Sequence, residues 1–208
     1  MAGMAKVAKQ EIEDPERAEP TGRKRILTHA AELFVARGYA GTSLRTIGEA
    51  VDMKPASIYH HFESKDQLLL TILDIGIDAI GVAFDEVAEE LPEDTSPHDR
   101  LVSHITAHIQ SLFTNEAFTA AHVTVFPMVP DTVRDLAVPK RDAYEARWTL
   151  LLKDLVPNLS DQALTYIRLS IFGAMNSTVN WFDPANGSVE ELAAAFGGNV
   201  WHGLEGFQ

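Results

Sequence analysis

Residues 23 to 70 read RKRILTHAAELFVARGYAGTSLRTIGEAVDMKPASIYHHFESKDQLLL. The tight breaks in this stretch constrain the fold more than anything else in the chain. Ile26, Leu27, Ala30, Leu33 and Phe34 recur at helical spacing, which predicts a first helix from about Gly22 to Arg37. Thr21 can cap its start. Gly38 closes it, because glycine accepts the left-handed backbone found just past a helix end. A second helix starts after Thr42 or Ser43, either of which can cap it, and carries Leu44, Ile47 and Val51 on one face. Asp52-Met53-Lys54 makes the next turn. Pro55 opens a third helix, where its missing N–H leaves no bond unmade. Ile58 and Phe62, four apart, point that helix inward. Ser64 and Gln67 form a capping box that starts a fourth helix running to about Leu91.

The rest of the chain also reads as helix. Further helices are expected at about 98–113, 116–126, 140–155, 160–182 and 188–204. A stretch interrupted by Pro127, Pro130 and Pro139 separates two of them. No alternating strand pattern and no internal repeat is visible. The expected fold is all-α with about nine helices, a three-helix helix-turn-helix head carrying a larger helical body. The expected boundaries are a disordered tail over 1–20, a head over 21–66 and a body over 67–208.

Composition narrows the chemistry. The 208 residues include no cysteine, which removes disulfides, thiolate metal sites and cysteine nucleophiles, and is compatible with a reducing cytoplasm. Residues 1 to 20 carry charges throughout and show no secretory signal. The longest apolar run, Leu68 to Phe84, is broken by Thr71, Asp74 and Asp78 and reads as a buried helix, so no membrane is expected as a partner. The net charge of −13 argues against indiscriminate nucleic-acid binding. Its distribution matters more. Residues 21–66 hold seven basic and five acidic side chains, a net of +2, which leaves −15 elsewhere. Screening over about 8 Å at physiological salt lets a mildly basic head work beside an acidic body that faces away.

A helix-turn-helix sets its second helix in the major groove of double-stranded DNA. Arg45 can donate a bidentate pair to guanine, or stand as a solvated face residue. Lys54 and Ser57 lie at the start of the third helix. Tyr59 can meet a thymine methyl or a phosphate, or support the core. His60 and Lys65 can donate to phosphates, and His61 can either do so or brace the third helix against the fourth.

The runs AAELFVARGYAGTSLRTIGEAV and PASIYHHFESKDQLL resemble the N-terminal domain of the TetR family of transcriptional regulators, over roughly residues 22 to 75. The family's usual turn glycine is Asp52 here, a residue that tolerates a left-handed backbone. The resemblance implies an all-helical homodimer with two DNA heads and a C-terminal effector domain. It also implies base-reading positions at Arg45, Lys54, Ser57 and Tyr59, and phosphate-contacting positions at Thr42, Ser43, His60 and Lys65. A palindromic operator would match the dimer's two-fold axis.

Two features of the body point further. Small residues let helices approach closely, and the eighth helix carries Ser170, Gly173, Ala174 and Ser177. The ninth carries Ala193, Ala194, Gly197 and Gly198, flanked by Trp201. The resemblance implies that these two helices pair with those of a second subunit; internal packing is the plainer alternative. Of these, Ser170, Ala174, Ser177, Ala194, Gly197, Gly198 and Trp201 are the expected dimer residues. Apolar walls with a few polar groups make a ligand pocket. Its candidate lining is Phe113, Phe126, Tyr144, Trp148 and Phe172, with His108, His122 and Asn176 as the polar groups. The same residues would serve equally as plain core. Trp181-Phe182-Asp183-Pro184 resembles a segment of members that answer to acyl-CoA thioesters.

His104 and His108 are four apart, and two such histidines can share a metal if His122 or a carboxylate completes the set. No cofactor is expected. No phosphate loop, nucleophile elbow or HExxH motif accompanies the histidines, so a metal-dependent enzyme ranks below the other readings. The leading expectation is a cytoplasmic repressor released from its operator by a small, largely apolar effector. The alternative is an activator or architectural DNA-binding protein that senses nothing.

Overall fold

The computed structural model describes residues 22–114 and 116–205. The tail over 1–20 and the expected Thr21 cap lie outside the described residues. Among these there are nine α-helices and no strand. They are α1 (Gly22–Arg37), α2 (Leu44–Ala50), α3 (Pro55–Tyr59), α4 (Lys65–Glu90), α5 (Pro97–Thr114), α6 (Glu116–Thr124), α7 (Asp131–Leu155), α8 (Asp161–Ser177) and α9 (Val189–Glu205).

Local chemistry accounts for the breaks. Ser43, not Thr42, caps α2 by accepting the Thr46 amide at 3.1 Å. Ser64 caps α4 by accepting the Gln67 amide at 3.0 Å, while Gln67 reaches back to the Glu63 amide at 2.7 Å. That reciprocal pair quiets two of the amide donors a helix start leaves open. Gly38 closes α1 with φ of +70°, and Asp52 holds φ of +52° in the turn where the family resemblance puts glycine.

The expected interruption before residue 140 is corrected. α7 starts at Asp131 behind Pro130 and runs straight through Pro139. An interior proline loses one backbone bond and costs about 3 kcal/mol. Val133 and Ala137 before it, and Tyr144, Trp148 and Leu152 after it, are all buried on one stripe that holds the helix together. The eighth helix ends earlier than expected, at Ser177, in a tight turn at Thr178–Asn180.

Two apolar cores form. In the first, Ile26, Phe34, Ile47, Ile58 and Phe62 from the head meet Leu68, Leu69, Ile72 and Leu73 from α4. The same core takes Ala121, Val125 and Phe126 from α6 and the turn after it, and Val133 and Ala137 from α7. The head is therefore welded to the body along α6. The second core joins Ile77, Ile80 and Phe84 of α4 to α5, α7, α8 and α9. α4 runs through both.

Gly76 permits the α4–α6 crossing, because a β-carbon there would stand 2.5 Å from the Phe118 carbonyl oxygen. By length and composition α4 could cross a membrane, but half of that window is packed inside the protein. Its Asp74 and Asp78 pair with Lys140 at 3.5 and 2.8 Å. It is a core helix.

Candidate functional site

The head presents most of its polar residues outward. Arg45 is largely exposed, and its Nε donates to Glu49 at 2.9 Å. Ser43, Lys54, Tyr59 and His60 are exposed, and Ser57 is half-buried. His61 is exposed and lies near Gly22 of α1, so it does not brace α3 against α4. All of these sit on α2, α3 and their flanking turns. Arg25 steadies that unit by donating to the Val51 carbonyl at 2.8 Å.

Two of the expected phosphate contacts are engaged within the chain. Thr42 is 1 % exposed, and its hydroxyl is 3.1 Å from the Leu33 carbonyl and 3.0 Å from the Gly38 carbonyl. It ties the end of α1 to the start of α2. Lys65 is half-buried, and its ammonium donates to the Tyr39 and Thr42 carbonyls at 2.9 and 3.0 Å. That ammonium also sits 3.8 Å from the Tyr39 ring centre, a cation–π contact. Next to it, Asp66 accepts the Tyr39 hydroxyl on one oxygen and the Thr132 hydroxyl, at 3.2 Å, on the other. Burial, with the Asp66 carboxylate beside it, pushes the Tyr39 phenol up to about 12. The first turn of α4 thus clamps the head to α7.

The body holds a cavity of about 210 Å³ between α4, α6, α7 and α8. Six of the eight expected lining residues border it: His108, His122, Phe126, Tyr144, Phe172 and Asn176. The other two are corrected. Trp148 is fully buried, packed against Phe84 and Phe172. Phe113 packs edge-on to Phe182 at 5.5 Å and does not border the cavity. That contact also gives the Trp181–Pro184 segment a packing role.

Inside the cavity the polar groups are ordered. His108 Nε2 donates to Asn176 Oδ1 at 3.0 Å, which leaves its Nδ1 to accept the Tyr144 hydroxyl at 2.8 Å. His122 Nδ1 lies 3.3 Å from the Leu73 carbonyl. Burial lowers both histidines to about 4, so both are neutral near pH 7. The same burial raises the Tyr144 phenol.

His104 faces elsewhere. Its Nδ1 meets the Arg100 carbonyl at 2.7 Å, and it borders a separate hollow with Arg147 and Asp154. Among the described residues no three histidine or carboxylate side chains gather in metal-binding geometry.

Charged residues absent from the sequence reading also reach the site. Arg141 and Glu145 line the cavity. Glu145 accepts an ion pair from Arg141 and another from Arg168 of α8, each at 3.1 Å. The signal was present in the spacing. Residues 141, 145, 148 and 152 fall on one face of α7, so two charges share the stripe of Trp148 and Leu152.

The expected dimer residues divide. Gly197 is taken up by its own chain, since a β-carbon there would stand 2.5 Å from Val102 Cγ2 of α5. Trp201 packs edge-on to His98 of α5 at 6.0 Å. Ser177 accepts the Trp181 indole N–H at 3.2 Å. Ser170 and Ala194 remain exposed, and Ala174 is half-buried. A β-carbon on Gly173 or Gly198 would meet open space.

Comparison with known proteins agrees with this geometry. Residues 26–72 match the model of the bacterial regulatory proteins of the tetR family, and residues 94–204 match the tetracyclin repressor-like C-terminal domain. The HTH-type transcriptional regulator TcmR of Streptomyces glaucescens is 27% identical over 183 residues, covering 84% of this chain and 79% of TcmR. The HTH-type transcriptional repressor KstR2 of Mycolicibacterium smegmatis is 28% identical over 131 residues, 62% of this chain and 60% of KstR2. The crystal structure of AibR in complex with isovaleryl coenzyme A and operator DNA superposes with a TM-score of 0.67 at 25% identity, covering 86% of this chain and 96% of AibR. The two matched models together span head and body, and the chain belongs to the TetR family of DNA-binding transcriptional regulators.

Proposed function

We propose that this regulator is a cytoplasmic, non-enzymatic repressor that acts as a homodimer on a palindromic operator and is released by a small effector held in the α4–α8 cavity. One observation carries the reading. α4 lines the cavity with Ile77 and Ile80, and the first turn of the same helix grips the head through Lys65 and Asp66. A ligand that favours one setting of α4 changes the separation of two heads, which duplex DNA requires at about 34–36 Å. The open cavity favours this reading over an architectural binder that senses nothing. AibR, whose crystal structure is in complex with isovaleryl coenzyme A and operator DNA, supports a protein of this shape binding both kinds of ligand.

The α8–α9 face supports the dimer. Tyr166 and Leu169 of α8 and Trp181 after it are large and exposed, beside the open glycines. Selecting bound DNA from the source genome recovers the operator. Affinity for it is then measured with and without the cognate effector, and saturating effector should weaken binding. Unchanged affinity removes the effector-released reading.

A further inference from the structure

The cavity described above has apolar and polar walls, and one of them is charged. Arg141 and Arg168 share a single carboxylate, Glu145. Glu145 and Arg168 are each 18% exposed, and Arg141 is 39% exposed. The Nε atoms of Arg141 and Arg168 are both buried without a well-directed hydrogen bond. Arg141 lies over the Phe126 ring at 4.9 Å, while its Nε stands 3.1 Å from Glu145. Among the lining residues, Arg141 and Glu145 are the two with permanent charge, and neutral His108 and His122 add none. Counting Arg168 behind Glu145, the wall carries a net +1.

Two guanidiniums that share one carboxylate leave one positive charge in excess, and an anion entering the cavity can meet it. A carboxylate matches a guanidinium's planar fork, and a neutral polar group cannot supply the charge. At about 210 Å³ the cavity is below the roughly 300–1,000 Å³ of pockets for drug-sized ligands.

We propose that the effector cavity selects a small monoanion, a carboxylate on a compact apolar body, with Arg141 as the carboxylate's partner. This rests on the effector-cavity reading above. The apolar body lies against Ile77, Ile80 and Phe172, and the carboxylate competes with Glu145 for Arg141. Because Arg141 stacks on Phe126, and Phe126 belongs to the core shared with the head, the anion acts on the α6 seam as well as on α4.

The test uses the purified full chain and matched probes, 4-phenylbutyrate against 4-phenylbutyramide and octanoate against octanamide, by calorimetry and tryptophan fluorescence. Each acid should bind roughly ten- to a hundredfold tighter than its amide, the scale of a charge-assisted bond. Arg141→Gln should bring acid and amide close to parity, with the amide still binding and so reporting an intact fold. Arg141→Lys should keep part of the preference. Lys153→Gln, whose ammonium pairs with Asp161 away from the cavity, should leave it unchanged. Equal binding of acid and amide in the native protein overturns the anion assignment and leaves the cavity reading standing, as does a preference that survives Arg141→Gln. No measurable binding of either acid also overturns it. Ile80→Trp fills the cavity, and acid binding that survives it places the probe elsewhere and removes the cavity reading itself.

Discussion

At the residue scale, the same kind of side chain does opposite work depending on what surrounds it. Lys54 is exposed, whereas Lys65 donates to two carbonyls of the α1–α2 connection. Replacing each with Met separates the roles. Lys65→Met should lower stability by about 1.5 kcal/mol, since it removes charged hydrogen bonds. Lys54→Met should leave the melting temperature in place, weaken operator binding and relax base preference at the position it reads, with little change in the salt-dependence slope. Circular dichroism melts and binding to operator variants distinguish the two; equal melts would mean that the Lys65 contacts contribute nothing. His108 and His122 give a pH signature. Their folded values, about 4, lie below the ordinary value of about 6.5, so the unfolded chain binds protons first as pH falls. Their stabilising contribution is complete above about pH 6.5 and is lost between there and pH 4. The limiting slope is about 1.4 kcal/mol per pH unit for each histidine. Urea unfolding at pH 7, 6 and 5 should show the fall, and His108→Gln should make it shallower.

At the element scale, α4 connects everything that matters to function, and its fit depends on a missing side chain. At Gly76, alanine would raise helix propensity by about 1 kcal/mol. It would also put a methyl 2.5 Å from the Phe118 carbonyl, a backbone atom that cannot swing aside. Overpacking typically costs 1–3 kcal/mol, so the clash wins. Gly76→Ala should therefore melt earlier despite its better propensity, and a higher melting temperature would refute the close crossing. α7 carries the complementary lesson. Pro139 reads as a stop by local rules, but burial of Ala137 and Tyr144 on either side outweighs the one lost backbone bond.

At the scale of the whole molecule, a head with a net charge of only +2 on a body of −13 cannot hold DNA by charge alone. Two heads in register double the contacts, and Gly173 offers a clean probe of that. A side chain there meets nothing within its own chain. Gly173→Glu should leave the monomer as stable as before, or slightly more so, while placing a carboxylate in the proposed subunit contact. Sedimentation equilibrium should then show monomers, and operator affinity should fall by at least tenfold. An intact dimer would move the interface off this face.

The number of helices and most of their bounds, the cap at Ser64 and the turn at Asp52 were legible in the sequence, and the cap of α2 was narrowed to Thr42 or Ser43. Periodicity and capping depend on neighbours within one or two turns, and those neighbours are written side by side. Most of the cavity's aromatic and imidazole groups were legible for a related reason, since bulky residues on an inward helix face must line something. Tertiary structure alone decided where polar side chains spend their hydrogen bonds. Thr42 turns inward to two carbonyls of α1 and its end, Lys65 to the α1–α2 connection, and Gly197 against Val102 of α5. It also brought Arg168 to Glu145 and Arg141 across two helices. A charge far along the chain has no local signature, because its partner is chosen by how helices pack and not by which residues precede it.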